Sequence, residues 1–299
     1  MPYLFVLSDR SVRSAVRRIA AEQMDGALAD MRDSTLVEAQ MVHTLRKRVK
    51  KLRGLLRLVR PVFSGYDTEN TALRDAARHI RDLRDAEVMR ATFAGLADRI
   101  DLPADRREPI LTRLDARLDA ARGGQDGDSG LAAFREAMLD ARDRVGSWKL
   151  DAKGFDALRP GLARTWNRAR AAMTEARSEF DGNFDALPFH EWRKHLKAHW
   201  YHARLLLPIW PEAMSPHVAA ADALGELLGD HNDLDVLAAA LPELTDAPDE
   251  AATLAAAIDT DRRVLARRAI ALGRRLLAGS GRDLAERWQV WWEVWRGSD

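Results

Sequence analysis

The residues best suited to chemistry lie in two copies of one basic segment. VHTLRKRVKKLRGLLRLVRPVF, from Val42 to Phe63, reappears as FHEWRKHLKAHWYHARLLLPIW, from Phe189 to Trp210. In register, His43 matches His190, Arg46 matches Arg193, Lys47 matches Lys194, Lys50 matches Lys197, Arg57 matches Arg204 and Pro61 matches Pro208. At about 100° per residue, His43, Arg46, Lys50, Arg53 and Arg57 share one arc of a helix. That arc lies beside a core stripe of Leu45, Val49, Leu52, Leu56 and Val59. In the second copy His190, Arg193, Lys194, Lys197, Tyr201 and Arg204 form the arc, beside Phe189, Trp192, Leu196, Ala203 and Leu207. No carboxylate lies between Glu38 and Asp67, so the first arc has no ion partner in its own helix. Like charges three or four residues apart repel by about 0.2–0.5 kcal/mol per pair. Hydrophobicity and helix propensity do not call for a histidine and a row of cations at the same phase twice. The chemistry that fits is the grip of Arg forks and Lys ammoniums on an anion rich in oxygens, phosphate above all.

Competing readings of the same residues stay open. A basic stripe is most often a solvated face whose charges reach acids on neighbouring helices, and Asp82, Asp85, Asp230, Asp233 and Asp235 are available for that. Arg and Lys stems also cover apolar surface. His43 and His190 fit local hydrogen bonding, metal ligation or phosphate donation, and the flanking cations favour phosphate over a dication. His195, His199 and His202 stand at metal-compatible helical steps, but no HExxH pattern accompanies them and the first copy has Arg48, Leu52 and Leu55 there. No metal or other cofactor is expected. Trp288, Trp291, Trp292 and Trp295 recur at helical steps and read as core or interface. No nucleophile elbow or glycine-rich phosphate loop is present, so no catalytic residue is assigned. An enzyme acting on phosphoanhydrides would need a divalent ion held by acids such as Asp85 and Asp233.

The elements that position these residues are helices throughout. Apolar residues recur at three- and four-residue steps and β-branched alternation is nearly absent, which predicts an all-α fold. The first half predicts helices at Val12–Met31, Leu36–Arg60, Asn70–Asp98, Ala104–Arg122 and Ser129–Val145, with a flexible loop at Gly123–Gly130. The second predicts Arg159–Phe180, Asp185–Leu207, Ala213–Ala240, Asp249–Leu277 and Arg282–Trp295. RDLRDAEVM, from Arg81 to Met89, also lines up with GDHNDLDVL, from Gly229 to Leu237, so that Asp82 matches Asp230 and Asp85 matches Asp233. A period of about half the chain argues for two similar helical bundles related by a pseudo-twofold, repeats at about 11–147 and 158–296, within one unit spanning 1–299.

Composition narrows the class. The chain has 299 residues, 46% of them hydrophobic and 31% charged, with a net charge of +1. Attraction for anions must therefore come from local clustering rather than from the global field. Cysteine is absent, which excludes disulfides and thiolate sites and fits a cytoplasmic location. No apolar run is long enough to span a bilayer, and no membrane partner is expected. A nucleic-acid partner is disfavoured by the near-neutral charge and by the lack of stacking aromatics among the cations.

HTLRKRVKKLR and HEWRKHLKAHWYHAR, with LRDAEVM and HNDLDVL downstream, resemble the CHAD domain (conserved histidine α-helical domain) over about Val12 to Trp295. The resemblance implies two four-helix bundles around a basic central channel that binds inorganic polyphosphate and can direct the protein to polyphosphate granules. Such domains are often fused to a triphosphate-processing CYTH domain; the 299 residues leave no room for one, so a stand-alone version is expected. The resemblance places His43, Arg46, Lys47, Lys50, Arg53 and Arg57 on one wall, and His190, Arg193, Lys194, Lys197, Tyr201 and Arg204 on the other. Arg17 and Arg18, with Arg164 and Arg168, would extend the channel from the preceding helices. Two positions depart from the pattern: Trp200 stands where a basic residue is usual, and Ala198 matches Lys51.

Overall fold

The computed structural model describes residues 3–80, 82–123, 125–182 and 184–297; within these, the side chains of 38, 82–84, 122–123 and 125–128 lie outside the description. The described residues are helical with no strand. The helices are α1 (Val12–Asp30), α2 (Glu38–Val59), α3 (Tyr66–Arg78), α4 (Asp82–Arg99), α5 (Ala104–Gly123), α6 (Gln125–Arg144), α7 (Arg159–Asp181), α8 (Leu187–Leu205), α9 (Pro211–Leu244), α10 (Pro248–Leu276) and α11 (Gly281–Arg296). Local sequence explains several starts. Ser11 and Ser280 close capping boxes with Ser14 and Asp283. Pro160, Pro188, Pro211 and Pro248 occupy first-turn positions, where a missing N–H costs nothing.

Each half of the chain builds a four-helix bundle. α1, α2, α3 and α6 pack each on the next in a closed ring, and so do α7, α8, α9 and α10. The bundles meet where α2 docks on α7 and α8, while α11 lies along α7. This double duty buries α2 more widely than its sequence stripe predicts. Leu55 and Leu58 are inaccessible alongside Leu45, Val49, Leu52, Leu56 and Val59, each contributing about 1.5–3 kcal/mol through burial. α8 is likewise buried beyond its predicted stripe, at Ala198, His199, Tyr201, His202 and Leu205.

Two predicted elements differ. The single helix expected over Asn70–Asp98 is two helices, broken at His79 and Ile80. Ile80 is buried in the main core, and the break lets α3 stay in the first bundle while α4 turns away to pack on α5 and α9. The predicted loop at Gly123–Gly130 is taken up in helix from Gln125, because Phe134, Met138 and Ala141 seat α6 in the core. α4 and α5, with the distal parts of α9 and α10, enclose a second, smaller core around Phe93, Ile110, Leu237, Leu241 and Ile258. No helix among the described residues is long and apolar enough to cross a membrane.

Candidate anion-binding site

The two basic helices touch. α2 and α8 cross antiparallel at Gly54, where a Cβ would lie 2.8 Å from the Tyr201 Cβ. Gly54 and Tyr201 occupy the same position of the two aligned segments. His202 Nε2 donates to the Gly54 carbonyl at 3.0 Å, and burial pushes this imidazole down to about 3. It is therefore neutral at pH 7. Away from the crossing, Lys51 of α2 lies beside Arg204 of α8 on one side, and Arg57 lies beside His195 on the other.

These two flanks concentrate positive charge. On the first, Lys47, Arg48 and Lys51 meet Lys197 and Arg204. The Lys51 ammonium sits 5.7 Å over the Tyr3 ring. Burial, then Arg204, Arg48 and Lys47, push it down to about 8. The Arg204 guanidinium and the Lys197 ammonium lie 4.8 and 4.9 Å over the Trp200 ring. Among the described residues three carboxylates answer these cations: Asp30 binds Arg48 at 3.1 Å, while Glu226 and Asp222 lie 2.9 and 3.6 Å from Lys197. On the second flank, Lys194, Arg168 and Arg57 gather around His195, and Arg164 stands near Arg168 and Arg60. Burial, then Lys194 and Arg168, push His195 down to about 4. Arg168 first, with burial and Arg60 behind it, lowers the exposed Arg164. Only Glu191, 3.1 Å from Lys194, and Asp67, 3.8 Å from Arg60, form ion pairs with these cations among the described residues.

The helical arcs read from sequence also face a third surface. α2, α8, α9 and α4 form a ring in which each packs on the next, without substantial diagonal contacts among the described residues. Across this ring Arg46 pairs with Asp85 at 3.2 Å and His190 Nδ1 lies 2.8 Å from Asn232 Oδ1. Arg193 faces Asp230 with its Nε buried and unpartnered. Gly225 of α9 makes room for Lys197, since a Cβ there would lie 2.9 Å from the ammonium. The neighbouring-helix pairing weighed from sequence thus holds for Asp85, while Asp230 only faces Arg193 and Arg268 without an ion pair among the described residues. Asp235 instead serves Arg262 and His231, and Asp233 accepts from Asn232. The side chain of Asp82 lies outside the described residues.

The remaining predicted residues sort by environment. His43, Lys47 and Lys50 are exposed on α2. Arg53 donates to Asn70 at 3.0 Å, lowered by burial and then by Arg57. Arg164 and Arg168 belong to the second flank. Arg17 does not extend a wall: its Nε donates to the Trp148 carbonyl at 2.9 Å, tying α1 to the end of the first bundle. Arg18 is held by Asp9 at 2.8 Å and by Glu22. Tyr201 is also not a wall residue. It is 6% exposed, packs edge-on against Tyr3 at 5.9 Å, and burial raises its hydroxyl to about 12. The histidines at helical steps diverge, with His199 Nε2 lying 2.7 Å from His217 Nε2, His202 on Gly54 and His195 at the surface flank. Trp288 and Trp292 are core residues. Sequence reasoning missed Lys51 and Arg60 as site members. Lys51 falls beside the arc on a helical wheel, and its approach to Arg204 exists only once two helices cross.

A family model described as the CHAD domain matches residues 10–242. The chain therefore belongs to the CHAD domain family. Its fold is similar to that of PptA from Streptomyces chartreusis, with a TM-score of 0.61 and 18% identity, covering 87% of this chain and 96% of that one. It is also similar to the CHAD domain from the plant Ricinus communis, with a TM-score of 0.55 and 17% identity, covering 97% and 96%. A search of curated proteins finds no match.

Proposed function

We propose that this chain binds inorganic polyphosphate, without turning it over, along the cationic surface centred on the α2–α8 crossing. The observation that carries the reading is the charge imbalance there. Among the described residues, Lys47, Arg48, Lys51, Lys197 and Arg204 share only Asp30, Asp222 and Glu226, and the opposite flank is poorer still in carboxylates. The whole chain carries only +1, so this surplus is local and deliberately placed on two helices drawn from different halves. Like charges so placed are unfavourable until a dense anion neutralises them. A flexible chain carrying about one charge per phosphate meets that need, and its binding releases counterions. Family membership supports the same ligand class. We also read the two halves, about 11–147 and 158–296, as copies within one domain, a reading supported by the meeting of equivalent positions Gly54 and Tyr201. Binding of this kind would carry the protein to polyphosphate granules.

The test is a charge-removal variant, Arg57→Gln/Arg168→Gln/Arg204→Gln, titrated with polyphosphate at low salt. Binding should fall at least about tenfold and the salt dependence should flatten by about 2–3 in slope. Wild-type affinity in a folded variant would refute the site. Release of phosphate by the purified protein with magnesium would refute the binding-only role.

A further inference from the structure

α10 carries a second cationic surface that the repeated segments do not account for. From Arg262 to Leu276 it contains Arg262, Arg263, Arg267, Arg268, Arg274 and Arg275 and no carboxylate. The first two are committed: Arg262 pairs with Asp235 at 2.5 Å, Arg263 pairs with Asp259 at 2.7 Å, and both lie over the Phe184 ring. Arg267, Arg268, Arg274 and Arg275 are exposed and make no ion pair among the described residues. A favourable interaction with the helix C-terminus explains Arg274 and Arg275 in the last turn. It does not explain Arg267 and Arg268, two turns earlier. The family match ends at residue 242, so these arginines also lie outside the matched pattern.

The surface adjoins the first site. A groove of about 620 Å³ between α9 and α10 is lined by Arg268 and Arg275 on one side and by Glu226 and Asp230 on the other. Those two acids are the ones that face Lys197 and Arg193 of α8. Asp230 feels both Arg193 and Arg268, so only the ridge of α9 separates the two cationic surfaces. Burial, then Asp233 and Glu226, raise the Asp230 carboxyl above the ordinary carboxylate range, while Arg193 and Arg268 act to lower it. Arg268 and Arg275 stand about 10 Å apart along the helix axis, a spacing suited to a threadlike polyanion rather than to one small anion.

We propose that Arg267, Arg268, Arg274 and Arg275 form a second polyanion contact, where a polyphosphate chain anchored at the α2–α8 crossing continues across α9 onto α10. This rests on the polyphosphate reading above and adds a footprint: long chains engage both surfaces, short ones only the first. Linking the two contacts through one ligand raises affinity without new chemistry at either.

The test compares wild type with Arg267→Gln/Arg268→Gln/Arg274→Gln/Arg275→Gln, using tripolyphosphate and chains of about a hundred phosphates as probes, with circular dichroism and melting temperature to verify folding. For the long probe, affinity at low salt should fall about tenfold or more and the salt slope should flatten by about 3. Tripolyphosphate binding should not change. Long-chain affinity equal to wild type overturns the proposal. So does an equal loss for both probes, which would make α10 a support of the first site. A wild-type protein that binds neither probe refutes the parent reading, and this one with it. Binding of both probes by wild type, with a variant indifferent to chain length, refutes this one alone.

Discussion

Polyphosphate binding should weaken as pH rises through 8, and Lys51 sets the midpoint. Burial and three neighbouring cations hold its ammonium near 8, against 10.5 for an ordinary lysine. A bound polyanion offsets the cations but not the burial, so the bound value recovers only part of the way. Binding therefore takes up a proton above pH 8, and affinity falls with rising pH. Full recovery to 10.5 would give about a thirtyfold loss between about pH 7 and 9.5, and half recovery about tenfold. Lys51 is partly exposed, so solvent screening makes tenfold the larger of the effects to expect. Free protein behaves oppositely. A lysine depressed on folding releases its proton, so its destabilising contribution is present below pH 8 and disappears by about 10.5. The assay is equilibrium titration at constant ionic strength across this range, in wild type and in Lys51→Met. Wild type should show the decline and Lys51→Met should be flatter. A flat wild-type profile, or the same decline in Lys51→Met, would refute the role given to this ammonium.

Other consequences follow from the same contacts. Glu226→Gln removes the carboxylate nearest Lys197 and should tighten polyphosphate binding about two- to fivefold, measured by the same titration; weaker binding would contradict the pairing as a competitor. Gly54→Val places branched carbons against Tyr201 at the tightest point of the crossing and should cost about 1–3 kcal/mol in urea unfolding, while an unchanged midpoint would mean the helices separate freely. His199, His202 and His217 are depressed by burial, with His202 near 3 and His217 near 4. Their unfolded forms protonate first as pH falls. The stability they contribute is complete above about pH 6.5 and is lost on descent toward 4, by about 2 kcal/mol for each such imidazole at about pH 5. Denaturant midpoints that do not move between pH 7 and 5 would contradict this.

Periodicity alone revealed a helical protein, because amphipathic spacing in Val12–Met31 or Leu36–Arg60 depends on local geometry that survives in any packing arrangement. The matched segments at Val42 and Phe189 likewise marked the helices on which the candidate site lies, since repeated charge at one phase is visible without coordinates. The break at His79 was invisible. Its cause is the route of α4 toward α9, and nothing local in TALRDAARHI ends a helix.

Sequence thus determined which helices carry the cations and on what phase, together with the all-α class. Tertiary structure decided which cations face one another. Tyr201 and Arg17, both on the expected faces, were withdrawn into the core and toward Trp148, while Lys51 and Arg60 were brought in by the crossing of α2 with α8 and by the approach of α7. Which acids temper the site was decided there as well, since Glu226 and Lys197 meet only when α9 lies against α8. The physical reason is that helical phase is a property of backbone geometry over a few residues, whereas electrostatic neighbourhood is set by packing between segments far apart in the chain.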